Sequence, residues 1–142
     1  MTQQEYKDFS DQYQKKSPLA KDMLLAFLIG GAICCLGQAV HNLYLRFGFN
    51  DSDASSWTSI TLIFLSILVT GFGWYDKLAK FGGGGTLVPI TGFANSVASP
   101  ALEFKAEGFV TGMAAKLFTV AGPVIVFGTA ASVLYGLILV IL

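Results

Sequence analysis

The sequence predicts an all-α integral membrane protein with three to four transmembrane helices and a glycine-rich broken or re-entrant segment between the second and the last. Three observations carry this. Hydrophobic residues make up 54% of the 142 and charged residues 13%, about half the charged share of a soluble domain. Stretches free of Asp, Glu, Lys and Arg run from Leu24 to Val40, from Trp57 to Tyr75 and from Leu117 to Leu142, and crossing the ~30 Å hydrocarbon layer takes roughly 20 helical residues. None of the three alternates like a barrel strand; each is apolar on every side, as helices in lipid or against one another are. Nine basic and nine acidic residues cancel, which argues against nucleic acid as a partner.

Residues 1–22 are a polar tail. Tyr6, Phe9 and Tyr13 recur at helical spacing, which fits a short helix lying on lipid headgroups as well as a solvated tail without fixed structure. The first spanning helix is expected at about 23–44. Glu5, Asp8, Asp11 and Asp22 among the tail lysines argue against a cleavable signal, and Ile33 before Cys34 argues against a lipoprotein. Cys34 and Cys35 bridge only with strain and have no acidic or histidine neighbour at metal-ligand spacing, so they read as packing residues.

The turn-rich run from Asn50 to Ser56 offers an N-cap for a second helix at about 57–76. Trp57 and the pair Trp74 and Tyr75 bracket that helix like interfacial anchors. Lys7, Lys15, Lys16 and Lys21 in the tail, with Lys77, Lys80 and Lys105 in the second connection, predict a cytoplasmic N-terminus and an Asp51/Asp53 loop on the opposite side. Two small-residue stripes, Ala26, Gly30 and Cys34 and then Gly128, Ser132 and Gly136, predict close helix packing.

Residues 82–104 form the least regular part. Gly82, Gly83, Gly84 and Gly85 resist helix at about 1 kcal/mol each, Pro89 follows, and the stretch is too apolar for a disordered linker. A re-entrant segment and a cytoplasmic cap both fit it. The glycine run lacks the Gly-Lys-Ser/Thr ending of a phosphate loop. Lys116 is the lone charge from Phe109 onward; an intramembrane ammonium is a functional candidate, paired here with Glu103 or Glu107, whereas one near the interface snorkels. Gly122 and Pro123 predict a break between helices at about 108–121 and 123–142. Pro89, Gly122 and Pro123 are the hinge candidates.

At these residues the chain resembles a known family. The block from Gly83 to Pro100 (GGGTLVPITGFANSVASP), with Glu103 to Phe109 (EFKAEGF), Lys116 to Gly128 (KLFTVAGPVIVFG) and Ala26 to Cys34 (AFLIGGAIC) followed by Gly37 and Gln38, is similar to the stage V sporulation protein A family, in its AC-type branch. The likeness covers most of the chain from Met23 onward. It implies a membrane channel subunit that moves dipicolinic acid, with calcium, into the forespore and out of the germinating spore in response to tension. It also implies a place in the inner membrane of the forespore, and as partners an AE-type membrane subunit and a soluble AD subunit.

A pathway for a calcium-neutralised dianion needs polar groups without a deep charge trap. Gly82 to Gly85, Thr91, Asn95, Ser96 and Lys116 are therefore the candidate contacts, with Lys116 favouring anions. A non-conducting scaffold subunit is the rival reading. No cofactor, metal or catalytic set is expected: His41, the single histidine, reads as a helix-end cap, and Asp51 and Asp53 read as turn formers rather than a calcium site.

Overall fold

A computed structural model describes residues 2–13 and 18–142. Lys15 and Lys16 of the predicted cytoplasmic tail lie outside the described residues, as do the side chains of Asp8, Asp11 and Tyr13. Among the described residues the chain is helical, with no strand.

Helix α1, Gln3–Tyr13, opens on a reciprocal cap: the Thr2 amide donates to Glu5 Oε2 at 2.7 Å and the Glu5 amide donates to Thr2 Oγ1 at 3.3 Å, satisfying two otherwise orphaned donors. Tyr6 and Phe9 are exposed on it.

Helix α2, Leu19–Arg46, and helix α3, Asp51–Gly71, are long and apolar enough to cross a membrane. They run antiparallel, since Tyr44 and Thr61 share a hydroxyl contact at 2.8 Å while Gly37 faces Leu62. Helix α3 starts six residues earlier than expected. Asn50 Oδ1 accepts from the Asp53 amide at 2.8 Å, and Asn50 Nδ2 donates to the Asp53 carboxylate at 2.9 Å. The polar run is thus the capped first turn of the helix rather than a loop before it. Tyr44, Phe49 and Trp57 stack around that turn with centroids 5.7 to 6.4 Å apart.

Helix α3 also ends earlier, because Gly73 adopts φ +70, a left-handed conformation that side-chain-bearing residues avoid. Helix α4, Trp74–Gly82, then turns back. A 3-10 turn, Gly83–Thr86, leads to extended Val88 and to helix α5, Pro89–Glu103. Pro89 stands in the first turn of α5, where its missing N–H breaks no bond, so it opens a helix. Helix α5 runs parallel to α3: Ser66 pairs with Thr91, and four residues on Thr70 pairs with Asn95. Fifteen residues reach about 22 Å at 1.5 Å each, short of the hydrocarbon layer.

After a 3-10 turn at Phe104–Glu107 the chain passes through a π-helical segment, Phe109–Ala114, into helix α6, Ala115–Ile141. Gly112 lies against the Phe104 carbonyl so closely that no Cβ fits. The predicted break at Gly122 and Pro123 is absent, and α6 is one helix with Pro123 inside it. Proline removes one hydrogen bond, the one to the Thr119 carbonyl. Ending the helix would orphan about four carbonyls and four amides, a larger cost in lipid. No residue of α6 is buried.

Candidate functional site: a helical hairpin and its groove

Helices α4 and α5, with the 3-10 turn between them, form a hairpin inserted beside α2 and α3. Its glycines do different jobs. A Cβ on Gly85 would collide with the backbone of Ala26, and one on Gly30 would come 3.0 Å from the Gly85 carbonyl oxygen. Backbone therefore packs on backbone, and the predicted α2 stripe is the dock for the hairpin. Gly82 faces the Ile29 side chain. Gly83 takes φ +47 to make the turn, and only Gly84 faces open space with an ordinary backbone. Tyr75 belongs to the same dock. It is 6% exposed and its hydroxyl donates to the Thr86 carbonyl at 2.8 Å, so it braces the hairpin rather than anchoring an interface.

On the α3 side the contact is polar. Ser66 Oγ donates to the Thr91 carbonyl at 2.7 Å. The Thr70 hydroxyl lies 2.7 Å from the Ser66 carbonyl and 2.8 Å from Asn95 Oδ1, its one proton shared between them. Ala54, Thr58, Leu62 and Ser66 form the buried face of α3 and Thr91, Ala94, Ala98 and Ala101 that of α5. Small side chains on both allow close approach. That four-residue repeat on α3 was present in the sequence, but its Ser and Thr content hid it among polar residues; Ser66, Thr70, Tyr75 and Thr86 were not among the expected site residues.

Between α2, α3 and the start of α5 lies a groove of about 490 Å³, whose polar lining includes Gln38, His41, Asp51, Ser55, Thr58 and Thr91. At its mouth His41 Nε2 is 3.3 Å from Asp51 Oδ1, joining the end of α2 to the start of α3. Gln38 Nε2 donates to Asn42 Oδ1 at 2.9 Å. Cys34 lines this groove. A second groove of about 440 Å³, lined by Ile63, Ile67, Phe93 and Val97 among others, is almost wholly apolar.

The chain belongs to the SpoVAC/SpoVAEB sporulation membrane protein family. That family's model matches residues 22–138, which takes in every element from α2 to α6 and leaves out α1. The chain is also 49% identical over 134 residues to the stage V sporulation protein AC of Bacillus subtilis (strain 168), covering 94% of this chain and 89% of that one. No solved structure matches.

In this family member the expected site residues separate into four places. Gly82, Gly83, Gly84 and Gly85 line the hairpin bend, whereas Thr91 and Asn95 face α3. Ser96 is exposed, with its hydroxyl donating to the Phe93 carbonyl at 2.8 Å. Lys116 is in neither groove: its Nζ lies 3.9 Å from the centroid of the Phe104 ring. Among the described residues no carboxylate of Glu103 or Glu107 pairs with it. Among the described residues the stripe of Gly128, Ser132 and Gly136 meets nothing from other elements: the two glycines have no atom within 4 Å of an added Cβ, and Ser132 is exposed.

Proposed function

We propose that this sporulation membrane protein is a subunit of the route by which dipicolinic acid, with calcium, enters the forespore and leaves the germinating spore. The observation that carries the reading is the half-length hairpin held among spanning helices. Helix α5 is too short to cross on its own, and its first turn is tied through the Thr91 carbonyl to Ser66 of α3. Irregular backbone at membrane depth survives only when buried in protein or lining water, and hairpins of this kind recur where membrane proteins handle small polar solutes. A joint built on a few hydrogen bonds and on glycine contacts can slide under tension with little backbone strain, which supports tension-dependent opening.

In this reading the protein lies in the inner membrane of the forespore with its N-terminal tail in the cytoplasm, beside an AE-type membrane subunit and a soluble AD subunit. Its conduit contacts are Thr91, Asn95 and the hairpin glycines, and Lys116 serves as an interfacial residue outside the conduit. Patch recording of purified protein in liposomes tests it: suction evokes conductance steps, and release of trapped calcium dipicolinate rises with membrane stretch. Silent patches from well-folded protein would move the pore to a partner.

A scaffold role is favoured by a separate observation, the uncovered outer half of α6. In that reading Gly128, Ser132 and Gly136 pack against another subunit, and substituting Gly128 and Gly136 with leucine separates the complex without altering the fold of this chain.

A further inference from the structure

The threonine hydroxyls within the spanning helices follow a common rule. Thr58 donates to the Ala54 carbonyl at 2.7 Å, Thr61 to Trp57 at 2.9 Å, Thr119 to Ala115 at 2.9 Å, and Thr70 lies 2.7 Å from Ser66. Each thus reaches the carbonyl four residues back, the local acceptor a helical threonine has at hand. Thr129, exposed on α6, makes no such bond, and among the buried threonines Thr91 is the exception. It is 8% exposed, and its Oγ1 has no hydrogen-bond partner among the described residues. The reason is local: Thr91 stands in the first turn of α5, and extended Val88 separates it from Leu87, whose carbonyl is the one four residues back. The Thr91 carbonyl is already taken by Ser66. A buried hydroxyl left like this is destabilising unless water or a ligand meets it.

Thr91 lies in the lining of the polar groove, whose other polar groups retain capacity. The second N–H and the carbonyl oxygen of Gln38 remain available after its bond to Asn42, and on the α3 wall stand Ser55 and Thr58, the latter with only acceptor capacity left after its bond to Ala54. No lysine or arginine is in that lining; Asp51 is its one acid, at the mouth beside His41. An anion entering such a groove finds hydroxyls and an amide but no lysine or arginine, and its one imidazole, His41, is held by Asp51.

We infer that the groove between α2, α3 and the start of α5 is a water-filled vestibule ending at Thr91, which admits water and polar solutes that are uncharged or cation-neutralised, and rejects free anions. For the conduit proposed above, on which only the choice of cargo rests, this means that the solute passes as its calcium chelate rather than as the free dianion.

The adjacent cysteines supply the test, because Cys34 is in the groove lining and Cys35, one residue on, points about 100° away around the helix. Full-length C35S and C34S variants are placed in lipid nanodiscs, where both membrane faces are open to reagent. They are then treated with methanethiosulfonates carrying a quaternary ammonium or a sulfonate. The expected result is that the cationic reagent modifies Cys34 at least tenfold faster than Cys35. The sulfonate is expected to lag the cation at Cys34 by about tenfold, a ratio that Asp51→Asn brings toward one. A Ser55→Cys variant lacking both native cysteines repeats the measurement nearer the mouth. Equal, slow modification of Cys34 and Cys35, with Ser55→Cys also unreactive, means that acyl chains or a second copy fill the groove and overturns the vestibule. A sulfonate rate equal to or above the cationic one overturns the charge assignment. Because no dipicolinate is used, a groove that labels as expected in protein that fails to pass calcium dipicolinate would sink the cargo and leave the vestibule standing.

Discussion

The hydroxyl of Tyr75 donates to the main-chain carbonyl of Thr86 across 2.8 Å, closing the hairpin at its base. Tyr75→Phe keeps the ring and removes the donor, leaving a buried carbonyl unsatisfied at a cost of about 1–3 kcal/mol. Thermal unfolding in detergent is expected to fall by several degrees, with membrane insertion and yield unchanged. An unshifted unfolding temperature would mean that the hairpin is held by its glycine contacts alone.

Two glycines one residue apart give opposite expectations. Gly85→Ala drives a methyl into the Ala26 backbone, which cannot yield as a side-chain tip does, whereas Gly84→Ala meets open space. Overpacking of this kind costs typically 1–3 kcal/mol. Gly85→Ala should therefore destabilise the protein and expose the hairpin to limited proteolysis, while Gly84→Ala stays within about 0.5 kcal/mol of the parent. The same digest, run on both variants, decides it.

Stability and transport are expected to part at Thr91. Thr91→Val removes a hydroxyl that has no protein partner among the described residues, so folding is unchanged or slightly improved. In the conduit reading the same change dries the end of the groove and lowers calcium dipicolinate release from liposomes by tenfold or more. Ser66→Ala, which breaks a bond the structure does show, should instead lower stability by about 1 kcal/mol.

For Lys116 the expectation is a small effect. Lys116→Met loses the contact with the Phe104 ring, about 1 kcal/mol or less at a partly exposed site. It leaves solute release and its charge preference unaltered. A loss of release would return Lys116 to the conduit.

Pro123 lies inside a continuous helix. Pro123→Ala restores the amide that Thr119 lacks and should raise thermal stability. Spin labels at positions 115 and 138 should stay about 35 Å apart in both proteins, the length of an unbroken helix at 1.5 Å per residue. A markedly shorter distance in the parent would restore the broken helix.

What could be read along the chain were the properties that a single helix displays by itself. The spans of α2, α3 and α6 follow from uninterrupted apolar length, and the irregularity near Gly82 to Pro89 follows from backbone chemistry. Where a boundary depended on a competition, linear reading fell short. The run from Asn50 to Ser56 carries turn residues, yet Asn50 and Asp53 satisfy each other and the helix begins at once. Pro123 carries a break signal that one missing bond in lipid is too weak to enforce. Tyr75, beside Trp74, looked interfacial because a tyrosine at a helix end shows nothing of the carbonyl eleven residues away that its hydroxyl will meet.

Composition and charge-free length by themselves determined that this polypeptide is a bundle of membrane helices, since transfer into hydrocarbon is a sum over residues and needs no partner. The tertiary structure decided which glycines dock and which only bend. It also made Ser66 and Thr91, 25 residues apart, one joint, and placed Lys116 over Phe104 instead of in a groove. Those outcomes depend on which surfaces meet after the chain folds back. In lipid that choice is made by close packing and by the pairing of a few hydroxyls, carbonyls and amides, none of which has a period along the sequence.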